Sequence, residues 1–218
     1  MCSLGIDLDA SISSKLDAIV TSNTISATGI GGGMEFIVNE NAFGRVIIQN
    51  NSFTLAEANK IGVNLHARNV PESSGQTGQL HATLGSNTIN GLSETGSVAA
   101  GYQLLAGSSS ATGATHPNTV CANIGVVSGA GSNAVNGTNS DLAFGWILRM
   151  RAGSTFQLQG YTGLAGSTSA VQSFVQSNNA GGTFAGEAFV GTGSNHILNY
   201  TNATCQTPTT PTLSPALP

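Results

Sequence analysis

Apolar and polar positions alternate in short segments along this chain, and one such segment recurs five times. Each copy starts at a glycine, and the first, third and fifth residues after that glycine are apolar. The copies begin at Gly5, Gly33, Gly62, Gly101 and Gly145, at spacings of 28, 29, 39 and 44 residues. Because successive side chains of a strand point to opposite faces, the alternation predicts five strands that each bury one face.

The two faces of the repeated strand differ in polarity. The predicted inward side chains are Ile6, Leu8, Ala10, Met34, Phe36, Val38, Val63, Leu65, Ala67, Tyr102, Leu104, Ala106, Trp146, Leu148 and Met150. The predicted outward pairs are Asp7/Asp9, Glu35/Ile37, Asn64/His66, Gln103/Leu105 and Ile147/Arg149. The outer face therefore becomes less acidic toward the C-terminal end.

A second apolar strand follows each of the first four copies and leads into a turn that contains asparagine. The clearest of these turns hold Asn23, Asn51 and Asn87. Asparagine tolerates the left-handed backbone region and bonds to its own turn. Stacked asparagine side chains also bond to the turns above and below, at about 1 kcal/mol for each shielded bond. We therefore assign these three residues a structural role.

Strands repeated about every 30 residues, without a helical pattern, predict an all-β solenoid. We expect a right-handed parallel β-helix of about five coils over residues 1–205, with a short helical or irregular closing segment at about 153–205. A β-sandwich is the alternative, but it would not repeat in register. Residues 206–218, rich in Pro and Thr, are interpreted as an extended tail or linker. The start in mid-pattern indicates a piece of a longer precursor.

Charged residues are scarce, at 7% of the chain, with a net charge of −4. The six Lys and Arg residues are spread along the sequence. Nucleic acids and anionic membrane surfaces are therefore not expected partners, because both need clustered cations. No apolar run reaches the roughly 20 residues that a membrane-spanning helix needs, so no membrane insertion is expected.

Several segments resemble bacterial surface proteins with right-handed parallel β-helix repeats, in the broad pectin-lyase-like group. The resemblance rests on the Asn turns at 22–25, 50–53 and 86–89, on residues 153–161, and on the helix-like residues 170–175 followed by Asn178 and Asn179. The chain departs from that pattern at Gln157 and Gln159, where Arg and Pro are usual. The resemblance implies a secreted or surface-displayed protein and supplies no catalytic residues.

The resemblance also implies a disulfide between Cys121 and Cys205, because cysteines are common at both places in that family. Two free, buried thiols are the alternative. Cys2 is left over and is attributed to the cut end of the chain.

Asp7, Asp9 and Glu35 form the densest group of acids. At a strand spacing of about 4.8 Å, Asp7 and Glu35 are predicted neighbours on the outer face. A polysaccharide lyase or glycoside hydrolase would use such acids, and they could hold Ca²⁺. A solvated acidic patch is the alternative interpretation. Five further acids read as isolated surface or turn residues, namely Asp17, Glu57, Glu94, Asp141 and Glu187.

The four histidines are spaced too irregularly for a zinc site and are interpreted as scattered surface residues. They are His66, His81, His116 and His196. No other cofactor is indicated.

Three functions remain open. The leading hypothesis is a non-catalytic extracellular structural or adhesive module that associates end to end into a fibre through an uncapped N-terminal end. The second is a carbohydrate-active enzyme that uses Asp7, Asp9 and Glu35. The third is a carbohydrate-binding module that uses Asn64, His66, Gln103 and the longer loops.

Overall fold

The computed structural model describes residues 5–27, 32–68, 76–107, 117–125, 131–138, 142–151, 153–179, 181–183, 188–190 and 199–209. The predicted features at Cys2, His116, Asp141, Glu187, His196 and 210–218 lie outside these residues. In chain order the elements are β1 (Ile6–Ala10), β2 (Lys15–Thr21), β3 (Thr24–Ala27), β4 (Met34–Asn39), β5 (Phe43–Gln49), β6 (Ser52–Leu55), β7 (Ile61–Arg68), β8 (Gln79–Gly85), β9 (Thr88–Leu92), β10 (Ala99–Ala106), β11 (Thr119–Ile124), β12 (Ala134–Gly137), β13 (Ala143–Met150), β14 (Thr155–Leu158), α1 (Thr168–Asn178), β15 (Ala188–Val190) and β16 (Tyr200–Thr201).

The strands form three parallel sheets. Sheet A has the order β1-β4-β7-β10-β13-β15, sheet B the order β2-β5-β8-β11-β14-β16, and sheet C the order β3-β6-β9-β12. The chain visits A, B and C in turn four times, and we call each such visit a coil. The prediction of an all-β fold is confirmed, and the described part of the predicted closing segment contains the helix α1. The strand order is compatible with a β-helix or a similar solenoid.

The register of sheet A stacks equivalent residues of the repeat. One inward column runs through Leu8, Phe36, Leu65, Leu104 and Leu148. From the second coil onward its members are fully buried, as the alternation predicts. Tyr102 and Trp146 stack in the core with their ring centroids 4.2 Å apart.

Two outward residues of sheet A are less exposed than their position suggests. Ile37 and Ile147 occupy outward positions in the register, as predicted, but are buried. Strand alternation assigns a side chain to a face and does not determine how much of it solvent reaches.

The repeated glycines are explained by close approach between coils. A Cβ on Gly33 would lie 2.6 Å from the carbonyl oxygen of Gly62 and 2.8 Å from the Phe53 ring. A Cβ on Gly62 would meet the Gly101 carbonyl at 2.6 Å. Larger residues would clash with the next coil, so glycine permits the normal hydrogen-bonded spacing at these positions.

Candidate functional site

The asparagine turns form a continuous ladder of hydrogen bonds through Asn23, Asn51, Asn87, Asn133 and Asn179. At each step the backbone N–H and the Nδ2 group of one asparagine donate to the Oδ1 of the next, at 2.8–3.3 Å. The four later members are buried, whereas Asn23 is exposed. The ladder satisfies polar groups that would otherwise be buried without partners.

The left-handed backbone falls one residue earlier than the sequence argument placed it. Ser22, Asn50 and Ser86 have φ of 59°, 57° and 54°, and each directly precedes a ladder asparagine. The ladder positions therefore need asparagine for its side-chain donor and acceptor, while a different residue makes the turn.

Residues 199–209, here called the C-terminal strap, run across the outer face of sheet B. The sheet register aligns Asp17, Arg45, His81, Cys121 and Gln157 in one outward column. The strap contacts all five members of this column, from the last coils back to the first. It begins beside β14, where Tyr200 and Thr201 pair with Phe156 and Gln157.

A disulfide fixes the middle of the strap. Cys121 and Cys205 are bonded, with their Cα atoms 5.4 Å apart, as the family resemblance implied. The backbone N–H of Cys205 also donates to Gln159 Oε1 at 2.9 Å. Gln159 is one of the two positions where the chain departs from the resembled pattern, and here it holds the strap.

Asp17 anchors the far end of the strap and is not the isolated acid that the sequence indicated. Arg45 donates to both carboxylate oxygens of Asp17 at 2.7 Å, from Nε and Nη2. Thr209 donates to Asp17 Oδ2 from its hydroxyl at 2.8 Å and from its backbone at 3.3 Å. Hydrogen bonding from Arg45 lowers the pKa of Asp17 to about 2.

His66 and His81 are buried, so the prediction of surface histidines is wrong for both. His81 Nδ1 accepts the backbone N–H of Gln206 in the strap at 3.0 Å. His66 Nε2 lies 3.0 Å from the carbonyl oxygen of Gly107, to which it donates. Burial lowers the pKa of both imidazoles, that of His66 to about 4. Both rings are therefore neutral at pH 7.

The three candidate acids occupy neighbouring strands of sheet A. Asp7 is the register partner of Glu35 in the next coil. Glu35 Oε1 accepts from Asn64 Nδ2, and Asn64 in turn accepts from Gln103 at 3.3 Å. A polar ladder thus joins residues from the enzyme hypothesis and from the carbohydrate-binding hypothesis.

Asp9 takes part in a second polar chain. Its Oδ1 accepts from Ser11 at 2.9 Å and from Asn39 at 2.8 Å, while Asn39 accepts from Arg68 at 3.1 Å. Among the described residues, no three His, Cys, Asp or Glu side chains lie close enough together to hold a metal ion.

A cleft of about 230 Å³ opens beside β4 and β7. Its polar lining consists of Glu35, Asn59, Lys60 and Asn64. The structure therefore places Glu35, a candidate catalytic acid, and Asn64, a candidate glycan-binding residue, at a common concave surface. His66 lies in a different cleft, described below.

Three of the six cationic residues meet at one corner of sheet A, contrary to their spread in the sequence. Arg149 and Arg151 line a small cleft with His66, and the charges of Arg68 and Arg151 both act on that histidine. The repeat contained a signal for this cluster. Arg68 and Arg151 both stand six residues after their repeat glycines, Gly62 and Gly145.

Comparison of the chain with protein-family models, with curated proteins and with solved structures finds no match in any of the three. In the described part of the chain, no helix is both long enough and apolar enough to cross a membrane.

Proposed function

We propose that this chain is a right-handed parallel β-helix that serves as a non-catalytic structural or adhesive module outside the cell. The handedness follows from a general rule, since parallel strands of one sheet are joined by right-handed crossovers in about 98% of cases. The order of visits to sheets A, B and C supplies such crossovers repeatedly.

One observation carries the proposal of a structural role. Carboxylates that could act in catalysis instead form hydrogen bonds to residues of other coils or of the strap. Glu35 binds Asn64 of the next coil, Asp9 binds Asn39, and Asp17 binds Arg45 and the strap. Each bond ties one coil to another. This arrangement supports a rigid spacer rather than a set of acids held ready for proton transfer.

The strap supports an extracellular location. Disulfides persist in oxidising compartments and are rare in the cytosol. Antibody labelling of intact cells of the native host tests this point. We expect labelling without permeabilisation, and labelling that requires permeabilisation would contradict it.

The enzyme alternative is tested with a panel of acidic and neutral polysaccharides. We expect the purified protein to release no new chain ends from any of them. Cleavage that is lost in the triple variant Asp7→Ala, Asp9→Ala, Glu35→Ala would overturn the structural proposal. The variant Glu57→Ala, which changes an acid outside this group, is the matched control.

End-to-end association is the second part of the proposal, and the first coil supports it. The strands β1, β2 and β3 form the edges of all three sheets, and Ile6, Leu8 and Ile25 are only partly buried there. Asn23 receives no hydrogen bond at its Oδ1 from any described residue. Another coil placed on this end would cover the apolar side chains and extend the ladder.

Sedimentation across a wide concentration range tests this association. We expect larger species at high concentration, and their loss in Ile6→Lys, which places a charge at the open end. Val98→Lys, which changes an exposed apolar side chain away from that end, is the control. A protein that stays monomeric at every concentration would rule out the fibre.

A carbohydrate-binding module is the second candidate, because the cleft at Glu35 and Asn64 offers polar groups on a concave surface. A glycan array separates it from the first. Binding that Asn64→Ala abolishes, without polysaccharide cleavage, would favour this candidate over a purely structural module.

A further inference from the structure

The arginine corner, defined as Arg68, Arg149 and Arg151 around His66, is built by the register of sheet A. His66, Leu105 and Arg149 are successive partners in one outward column on β7, β10 and β13. Arg68 ends β7 and Arg151 directly follows β13. Half of the six Lys and Arg residues of the chain therefore gather at one edge.

A narrow cleft of about 70 Å³ lies within the corner. Its lining consists of His66, Leu105, Ala106, Gly107, Arg149 and Arg151. A bound water needs roughly 10–15 Å³ of such space, so the cleft has room for several waters or one compact polyatomic group.

Gly107 gives the corner its shape. Its φ of +92° favours glycine, and a Cβ there would lie 2.7 Å from the Cβ of Arg151. The absent side chain lets the stem of Arg151 lie over the backbone at Gly107. The carbonyl oxygen of the same glycine accepts from His66 Nε2, which holds the imidazole in the wall of the cleft.

Two cations of the corner, Arg68 and Arg151, have no ion pair with any described acid. Arg68 Nε donates to the neutral Asn39 amide, and Asp9 is reached only beyond that amide. Asp7 and Glu35, the other acids on the described strands of this face, belong to the first two coils.

Burial makes this charge costly. The Arg149 side chain is partly desolvated, and burial together with the charge of Arg151 lowers the pKa of its guanidinium. His66 stays neutral for the same two reasons, burial and the charges of Arg68 and Arg151. Like charges in a partly desolvated cleft repel one another more strongly than in water, and a bound anion offsets that repulsion.

We propose that the arginine corner binds a compact oxyanion, such as a sulfate, phosphate or carboxylate group, through the guanidinium groups of Arg68, Arg149 and Arg151. Guanidinium groups present planar pairs of donors that match such oxygens. This ligand site goes beyond the structural role proposed above and does not depend on handedness or on fibre formation.

An NMR titration of ¹⁵N-labelled protein at pH 7 and constant ionic strength tests the site, with sodium sulfate replacing sodium chloride. We expect saturable shifts of the Gly107 amide and of the Arg151 Nε–H signal. The variant Arg151→Gln should weaken sulfate binding about tenfold or more, since it removes charged hydrogen bonds. Lys15→Gln, which neutralises an exposed cation on β2 of sheet B, should bind like the native protein.

Shifts that never saturate, or equal affinity in Arg151→Gln and the native protein, would overturn the proposal. The remaining amide signals of each variant report whether it is folded. If Arg151→Gln proves unfolded, Arg68→Gln repeats the test at a residue on a different strand, with the same expected loss.

A second titration distinguishes a free ion from an anionic sugar as the source of the group. The probes are inorganic sulfate, acetate, a carboxylate-bearing oligogalacturonate and a neutral oligosaccharide of equal length. An oligogalacturonate that binds at least about tenfold more tightly than acetate, with loss in Arg151→Gln, identifies a glycan carboxylate. Equal affinity for acetate and the oligogalacturonate identifies a free small anion. Equal affinity for the neutral and the acidic oligosaccharide would contradict the oxyanion site.

Discussion

The first coil and the far end of the sheets contain the same repeated residues in different surroundings. At the first coil Asn23 is exposed and Leu8 is only partly buried. At the far end Asn179 is fully buried, and Val171 and Val175 of α1 pack against the core. A coil in a stack is stabilised by its neighbours, and the first coil has a described neighbour on one side only.

The strap is the part of the structure that joins these unequal ends. It leaves β16, passes Cys121 and His81, and reaches Asp17 in the first coil. The weakly packed coil is thereby tied to the well-packed one through long-range contacts. Four sets of variants measure how much each end, and the strap that links them, contributes to the free energy of unfolding.

Removing the disulfide should have the largest effect. The double variant Cys121→Ala, Cys205→Ala opens an 84-residue separation, which corresponds to about 4–5 kcal/mol in the chain-entropy model of disulfide stabilisation. Chemical denaturation at pH 7 measures the change, with Cys2→Ser as the background in both proteins. Equal stability of the two proteins would mean that the disulfide gives no net stabilisation.

Truncating equivalent core leucines should have the second largest effect, and one that differs between the third coil and the first. Leu65 is fully buried in the third coil, so Leu65→Ala should cost about 3 kcal/mol through lost burial and a cavity. Leu8→Ala at the half-covered first coil should cost about 1 kcal/mol, because water already reaches that site. Chemical denaturation measures both losses from the shift of the midpoint, provided that the dependence of the unfolding free energy on denaturant is the same in all proteins. Similar losses would show that the first coil is as well covered as the third.

The asparagine ladder should show the same contrast at a smaller scale. Asn87→Ala leaves the buried Asn51 N–H and the Ile48 carbonyl without their partners, at about 2 kcal/mol. Asn23→Ala removes bonds at an exposed turn and should cost less than about 0.5 kcal/mol. Thermal denaturation of both variants measures the difference, and equal shifts in Tm would contradict the unequal burial of the ladder.

The Asp17 anchor should show the smallest effect, and one that depends on pH. The pKa of Asp17 is about 2 in the folded protein and 3.8 in the unfolded chain. The folded state therefore gains stability above about pH 4 and loses it as the pH falls toward 2. Since the pair is partly exposed, we expect about 1 kcal/mol or less.

The difference in the free energy of unfolding between native protein and Asp17→Asn measures this contribution. The effect of the histidines on stability is present in both proteins and cancels in the difference. The contribution of Asp17 should be present at pH 7 and vanish near pH 2. Glu57→Gln, which removes an exposed local ion pair with Lys60, should leave the pH profile unchanged. A constant difference between native protein and Asp17→Asn across the pH range would show that Asp17 acts without its charge.

Much of the fold followed from local pattern. The glycine-led alternation predicted the inward columns of sheet A, because strand geometry alone decides which face a side chain takes. The same reasoning could not predict that Ile37, Ile147, His66 and His81 are buried, because alternation assigns a face and does not say how far solvent reaches it. The disulfide pairing followed from family resemblance and could not be obtained from spacing.

The repeated residues of this protein determined by themselves where strands form, which side chains stack, and that asparagines align at one turn. Each of these properties depends on short periods along the chain. Only the tertiary structure decided that a strap from residue 199 onward reaches Asp17, and that Arg68, Arg149 and Arg151 share a corner. The physical reason is distance: electrostatic and hydrogen-bond partners meet through space, and their separation along the chain of up to 192 residues leaves no local signature.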